Sequence, residues 1–118
     1  MGYIRNEAMV VSGWDNARVL RAHSAASAIF DSHKIGRLVS GLVQHVTNGG
    51  AAFFISPDGS KEGWHDSDLG EAARKEFVSW LKTSEAQKLY LDWALIVLGG
   101  DDGEFSVSES TVTAMAAA

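Results

Sequence analysis

Cysteine is absent from this 118-residue chain, and proline occurs once, at Pro57. Without thiols the chain cannot form disulfides, use a cysteine nucleophile, or build zinc fingers and iron–sulfur sites. Clustered positive charge is also missing, because the ten Lys and Arg residues are scattered and the formal net charge is −5. Since a nucleic-acid backbone is bound by clustered Lys and Arg, we expect no nucleic-acid partner.

Long apolar runs are missing as well. No run approaches the ~18 residues of a membrane span, and no apolar signal-peptide region follows the N-terminal Met-Gly-Tyr-Ile-Arg. Gly2 does not fit a myristoylation site, because position 6 is Asn. We therefore expect a cytoplasmic protein without a membrane partner, in the host cytoplasm if the gene is phage-borne.

What the chain does contain is enough apolar material for one domain. Hydrophobic residues make up 46% of it, which is ordinary for a globular protein of this size. We predict a single domain over residues 1–110. The last stretch, 111–118, has only small residues and is predicted to be a flexible tail.

The first half of the chain predicts a strand, a helix and a hairpin. A strand is expected over 7–14, and a helix over 15–31 with Asp15 as its N-cap. The stretch 35–47 is ambiguous, because its apolar residues fit a helical period while its many β-branched residues favour a strand. Asn48-Gly49-Gly50 is a strong hairpin signal, so we predict strands over 38–47 and 51–56. The buried stripe of the first helix is predicted to be Val19, Ala22, Ala26, Ile29 and Phe30.

The second half predicts a turn, a helix and two strands. Pro57-Asp58-Gly59-Ser60 has the residues of a tight turn. A helix is expected from about 67 to 82, with Asp68 and Glu71 as a capping box. Strands are expected over 89–98 and 104–109. The buried stripe of this helix is predicted to be Leu69, Ala73, Phe77, Trp80 and Leu81.

The order of elements is therefore β-α-β-β-α-β plus one extra C-terminal strand. This is the order of the ferredoxin-like, or split βαβ, arrangement. We predict an α+β fold in which two helices cover one face of an antiparallel sheet. The other face is left to water or to a partner.

Several segments of the chain resemble a known family. The most specific of them is Pro-Asp-Gly-Ser-Lys-Glu-Gly-Trp at 57–64. The others are Gly2-Tyr3-Ile4-Arg5, Val10-Val11 with Trp14, Asn48-Gly49 before Phe53-Phe54-Ile55, Ser67-Asp68, and Ala73-Arg74 through Trp80-Leu81. Together they resemble a family of small proteins of unestablished function carried by tailed phages and prophages.

That resemblance touches most of residues 2–98. It implies a shared fold and a phage setting, and it transfers no catalytic residue. The chain departs from the family at Gly50, where an aromatic residue tends to follow Asn-Gly, and its C-terminal tail is its own.

The loop at 57–66 is the first candidate site. Trp64 could form a stacking platform, with polar groups beside it that would hold a ligand or partner. The alternative is a solvated turn whose Trp only covers the end of the sheet. The spacing of His65, Asp66 and Asp68 matches no recognised ligand pattern, so we expect neither a metal nor a cofactor. The candidate binding residues are Asp58, Lys61, Glu62, Trp64 and His65.

The second candidate is the uncovered sheet face. Asp92 interrupts the most apolar strand, so it is either on the solvent side or paired. Strand alternation places Tyr90, Asp92 and Ile96 on one side, and we expect Phe54 to join them from a neighbouring strand. We predict a homodimer interface there, with simple partial exposure as the alternative.

Three functional hypotheses remain open. The preferred one is a phage or prophage accessory protein that binds a host or defence protein, or a nucleotide-like ligand at Trp64. The second is a small hydrolase or transferase using His65 with Asp66 or Asp68. The third is a homodimeric structural component. The enzyme hypothesis predicts a histidine within hydrogen-bond reach of a carboxylate in a deep pocket, and the binding hypothesis predicts a shallow surface.

Overall fold

One antiparallel sheet organises the computed structural model, which describes residues 4–101 and 103–112. Its five strands lie in the order β2-β3-β1-β4-β5. They are β1 (Glu7–Gly13), β2 (Val43–Gln44), β3 (Ala51–Ile55), β4 (Asp92–Leu98) and β5 (Phe105–Ser110). The helices are α1 (Asn16–Ser32), α2 (His65–Leu81) and the short α3 (Ser84–Gln87), with a 3-10 turn at Gly36–Leu38. The predicted α+β class with an antiparallel sheet is confirmed.

Strand β1 lies at the centre of the sheet. It pairs with β3 on one side and β4 on the other, so that Met9 lies opposite both Ile55 and Leu95. The side chains of Met9 and Val11 are fully buried against the helices. The core combines these two with residues of α1, α2, β3 and β4: Val19, Ala22, Ala26, Phe30, Ala51, Phe53, Ile55, Ala73, Phe77, Val78, Leu81, Trp93 and Leu95.

Helix α1 begins where the sequence predicts. The carboxylate of Asp15 accepts a hydrogen bond from the Ala17 N–H at 2.9 Å, which satisfies one of the free donors of the first turn. The predicted stripe is the buried one, with Ile29 partly buried beside it. Gly13 allows the helix to approach closely, because a Cβ there would lie 2.7 Å from Val19 Cγ2.

The predicted start of α2 is wrong. The helix begins at His65, and Trp64 occupies the N-cap position without a side-chain hydrogen bond. The Trp64 carbonyl already accepts from the Asp68 N–H at 3.0 Å, so Asp68 is inside the first turn and cannot cap it. Asp66 and Asp68 instead place negative charge near the positive end of the helix dipole.

The hairpin is present, but its first strand is short. β2 has two residues, of which Val43 lies opposite Ala52. Most of the predicted strand 38–47 is therefore not a strand. The 3-10 turn extends to Leu38, and between it and β2 the chain forms a single bridge, from Val39 to Ile55. The helical alternative is not adopted. Asn48 and Gly49 both have positive φ, 67° and 70°, as the hairpin signal predicts.

The C-terminal region carries two differences from the prediction. β4 begins at Asp92 rather than at 89, because Tyr90 has a left-handed backbone with φ of 52°. Thr111 falls in the predicted tail, yet its Oγ1 accepts a hydrogen bond from the Trp93 N–H at 2.7 Å. Residues 113–118 of that predicted tail lie outside the described residues.

The packing of α2 against the core can be tested by substituting Phe77. Its side chain is 0% exposed, and its ring lies 5.9 Å from the Trp80 ring and 6.4 Å from the Phe53 ring. We expect Phe77→Ala to lower the free energy of unfolding by about 3–5 kcal/mol in urea melts, because a large buried ring leaves a cavity. Lys75→Ala, exposed on the same helix, is the control. A loss below about 1 kcal/mol for Phe77→Ala would contradict this packing.

Gly49 is the test of the hairpin turn. A Cβ at Gly49 or at Gly41 would meet no atom within 4 Å, but only Gly49 of the two has positive φ. We therefore expect Gly49→Val to destabilise the fold by about 1–2 kcal/mol or more, through backbone strain alone. Gly41→Val, measured by the same melts, should cost clearly less. Equal losses in the two variants would show that the turn is not left-handed.

Candidate functional site

A buried ion pair between Asp58 and Arg74 joins the β3–α2 loop to helix α2. The Asp58 carboxylate accepts hydrogen bonds from the Ser60 N–H at 2.9 Å and from the Ser60 hydroxyl. Arg74 Nη1 donates to its other oxygen at 3.5 Å. The side chains of Arg74 and Asp58 are only 8% and 10% exposed. Asp58, a predicted ligand group, is therefore engaged within the fold.

Gly70 makes this contact possible. A Cβ at Gly70 would lie 2.6 Å from Asp58 Oδ2, so a larger residue would push the loop away from the helix. No sequence pattern signals the roles of Gly70 and Arg74, because the turn 57–60 and this part of α2 meet only in the folded chain. The loop is held in place by its own side chains.

The other candidate residues of this segment lie at the surface. We call them the lip: Lys61, Glu62, Trp64 and His65. Trp64 is 55% exposed, and Lys61 Nζ lies 5.8 Å from the centre of its ring, within reach of a cation–π interaction. Glu62 and His65 are exposed beside them. Within the described ranges, no carboxylate lies within hydrogen-bond distance of His65, and no group of three or more acidic or histidine side chains could hold a metal ion.

The sheet face opposite the helices is apolar and exposed. Strand alternation brings Phe54 and Ile96 onto it, as predicted. Phe105 and Val107 of β5 extend it and are 76% and 59% exposed. Side chains that share this face are Ala8, which is fully buried, and Val10, Ser12, Val43, Ala52, Phe54, Asp92, Ala94, Ile96, Leu98, Phe105, Val107 and Ser110. We call this set the open face.

Tyr90 does not belong to the open face. It lies before β4 with a left-handed backbone, and its ring faces the Arg18 guanidinium of α1 at 5.6 Å. The same guanidinium lies 4.9 Å from the Trp14 ring. Arg18 thus contacts two large exposed rings at once, and the extended pattern expected for residues 89–98 fails at Tyr90.

A polar cleft of about 440 Å³ lies at the end of the sheet where β1 finishes and β4 begins. Its volume is in the range of small-molecule sites. It is lined by the end of β1 and by Trp14, which follows that strand. The β2–β3 hairpin and Asp92, the first residue of β4, complete the lining. The functional groups lining it belong to Ser12, Trp14, His45, Thr47, Asn48 and Asp92. We call it the Trp14 cleft.

Backbone contacts hold the walls of the Trp14 cleft. The Gly49 carbonyl accepts from the Asn16 N–H at 2.8 Å, which joins the hairpin turn to the start of α1. A Cβ at Gly50 would lie 2.5 Å from His45 Nδ1, so the glycine leaves room for the imidazole. This cleft was not predicted from the sequence, because its residues lie far apart along the chain. The isolated Asp92 was the one signal that pointed to it.

The comparisons with known proteins add no assignment. No protein-family model matches this chain, and neither a curated protein nor a solved structure shows significant similarity to it. In the ranges 4–101 and 103–112, every helix is too short or too polar to cross a membrane.

The ion pair at Asp58 predicts a dependence of stability on pH. Burial alone raises the pKa of Asp58, but hydrogen bonds from Ser60 and the charge of Arg74 outweigh it and hold that pKa below its ordinary value. The stability that ionised Asp58 provides is therefore complete above about pH 4 and is lost as pH falls through the lower folded-state pKa.

We expect Asp58→Asn to reduce the free energy of unfolding at pH 7 by about 1–3 kcal/mol, because the charge facing buried Arg74 is removed. The difference from wild type should narrow in urea melts below about pH 4. Glu62→Gln, exposed in the same loop, is the control and should change little at either pH. A difference that is the same at pH 7 and pH 3 would contradict the lowered pKa.

Proposed function

We propose that this protein is a phage or prophage accessory protein that acts by binding and assembles as a homodimer through its open face. The phage setting is supported by the resemblance centred on residues 57–64. The observation that carries the binding and the dimer is the open face itself, where large apolar side chains lie exposed beside one another. Contiguous exposed apolar surface of this kind marks interaction sites.

The proposed architecture is the ferredoxin-like one with an added C-terminal strand. Strands β1 to β4 lie in the order β2-β3-β1-β4, with every neighbouring pair antiparallel, and β5 extends the sheet beyond β4. In such an arrangement helices α1 and α2 connect strands across the same face. This leaves the second face of the sheet for a partner.

Binding is favoured over catalysis by the positions of the histidines. A hydrolase using His65 would require a carboxylate oriented toward its imidazole, and the described residues provide none there. The described chain does hold one histidine–carboxylate pair, His33 Nε2 to Glu76 Oε1 at 3.0 Å. It lies between α1 and α2 on the outer surface, where Glu76 is exposed.

A second copy of the chain is the partner that fits the open face best. Strand spacing and rise give the face about 19 Å across and about 20 Å along the strands, so about 400 Å² in projection. Asp92 is its one ionisable side chain, at one end. A twofold axis through the centre would place the two Asp92 carboxylates at opposite ends, so these two charges would not face each other.

The lip at Lys61 and Trp64 would then lie at the rim of the dimer. It belongs to the loop that leaves β3, at the edge of the sheet rather than within its face. We assign the lip to a host or defence protein, or to a nucleotide-like ligand that stacks on Trp64. In the third hypothesis, a purely structural dimer, the lip would have no occupant.

Oligomeric state tests the proposal. We expect wild-type protein to be a dimer at high micromolar concentration by multi-angle light scattering. Val107→Lys should shift it to monomer, because a second copy would have to desolvate the ammonium group. Val107 is exposed in the single chain, so the fold should be retained.

The matched control is Leu20→Lys. Leu20 is 49% exposed on the outer surface of α1, so the same change of charge there should leave the dimer intact. A wild-type protein that is strictly monomeric at that concentration, or a dimer that survives Val107→Lys, would overturn the proposed interface.

A further inference from the structure

The Trp14 cleft brings together polar side chains that form no hydrogen bonds or ion pairs with one another. In the part of the chain that the structure describes, the side chains of Ser12, His45, Thr47, Asn48 and Asp92 have no hydrogen-bond or ion-pair partner within the protein, and all but Ser12 are exposed. Asp58 is the contrast, since its carboxylate is fully engaged by Ser60 and Arg74. Polar groups that converge on a cleft and remain free are available to a ligand.

The aromatic wall of the cleft is held in place before any ligand arrives. Trp14 is 62% exposed, and the Arg18 guanidinium lies 4.9 Å from its ring. Arg18 is itself held by Tyr90 and by Asp15, whose Oδ2 lies 3.9 Å from Arg18 Nε. An indole fixed in this way loses little conformational freedom on binding.

The chemistry of the lining disfavours an anionic ligand. Lys and Arg are missing from the residues that line the cleft, and the Asp92 carboxylate among them would repel a phosphate group. A carboxylate, an amide, an imidazole and two hydroxyls offer both donors and acceptors. They surround a single flat apolar surface, the indole of Trp14.

We infer that the Trp14 cleft binds a neutral saccharide, with one pyranose ring stacked on Trp14. A pyranose has an apolar C–H face that can lie on an indole, and hydroxyls around its edge that both donate and accept. Asp92 and Asn48 would bind adjacent hydroxyls, since a carboxylate accepts two hydrogen bonds and an amide can both donate and accept. A nucleobase has its polar groups in the ring plane and would use fewer of the five side chains.

The inference is tested by ¹⁵N NMR titration with three probes: methyl α-glucopyranoside, methyl β-galactopyranoside and N-acetylglucosamine. At least one should give saturable shifts confined to the Trp14 indole N–H, the backbone of 45–50 and Asp92. Trp14→Phe assigns the indole signal. The titration is repeated in the Val107→Lys background, so that self-association through the open face cannot block the cleft.

Two variants should weaken the binding at least about tenfold, the cost of losing one good hydrogen bond to a charged group or one stacking surface. They are Asp92→Ala and Trp14→Ala, both at exposed side chains. Asn48→Gly is a third, in which glycine keeps the left-handed backbone and only the amide is lost. Lys75→Ala, at an exposed side chain of α2, should leave the affinity unchanged.

Three results would overturn the inference. One is the absence of saturable shifts with all three sugars in both backgrounds. Another is an affinity that none of the cleft variants alters. The last is adenosine binding in the cleft more tightly than every sugar, which would make it a nucleobase site.

Discussion

The burial of β1 from three directions is the constraint on which the rest of the structure depends. Its backbone is paired on both edges, by β3 and β4, and its Met9 and Val11 side chains lie under the two long helices. Every other element is positioned relative to this strand. Because α1 and α2 both lie against the same face, the opposite face of β1 is left without a cover from either of them.

Two loops extend that framework to opposite ends of the sheet. At the end of β3 the chain makes a closed contact, where Asp58, Ser60 and Arg74 satisfy one another and Gly70 gives them room. At the end of β1 lies the Trp14 cleft, where polar side chains lie near one another without hydrogen bonds between them. The first arrangement stabilises the loop, since a buried carboxylate must be paired. The second contributes little to stability, which suits a binding site better than a structural contact.

Local signals in the sequence predicted helix α1 and the hairpin turn well. The Asp15 cap and the stripe that contains Val19 and Phe30 depend on residues within a few positions of each other, as does the left-handed turn at Asn48-Gly49. Predictions failed where tertiary contacts decide. Leu38, at the end of the 3-10 turn, and Val39 and Leu42 after it pack partly buried against the core, although the β-branched residues of 38–47 favoured a long strand. Tyr90 turns away from β4 because its backbone is left-handed, and no pattern in 89–98 signals this.

The Trp14 cleft could not have been predicted from spacing, because its composition is fixed by strand register. Ser12 lies opposite both Ala52 and Asp92 in the two pairings of β1, so a slip of one residue in either pairing would move one of these partners to the other face. The same register places the apolar residues Val10, Phe54 and Ala94 next along the open face. One face therefore carries an apolar centre and a polar end. If a second copy covers the centre and a ligand occupies the end, the two events share a surface, and any effect of one on the free energy of the other must be reciprocal.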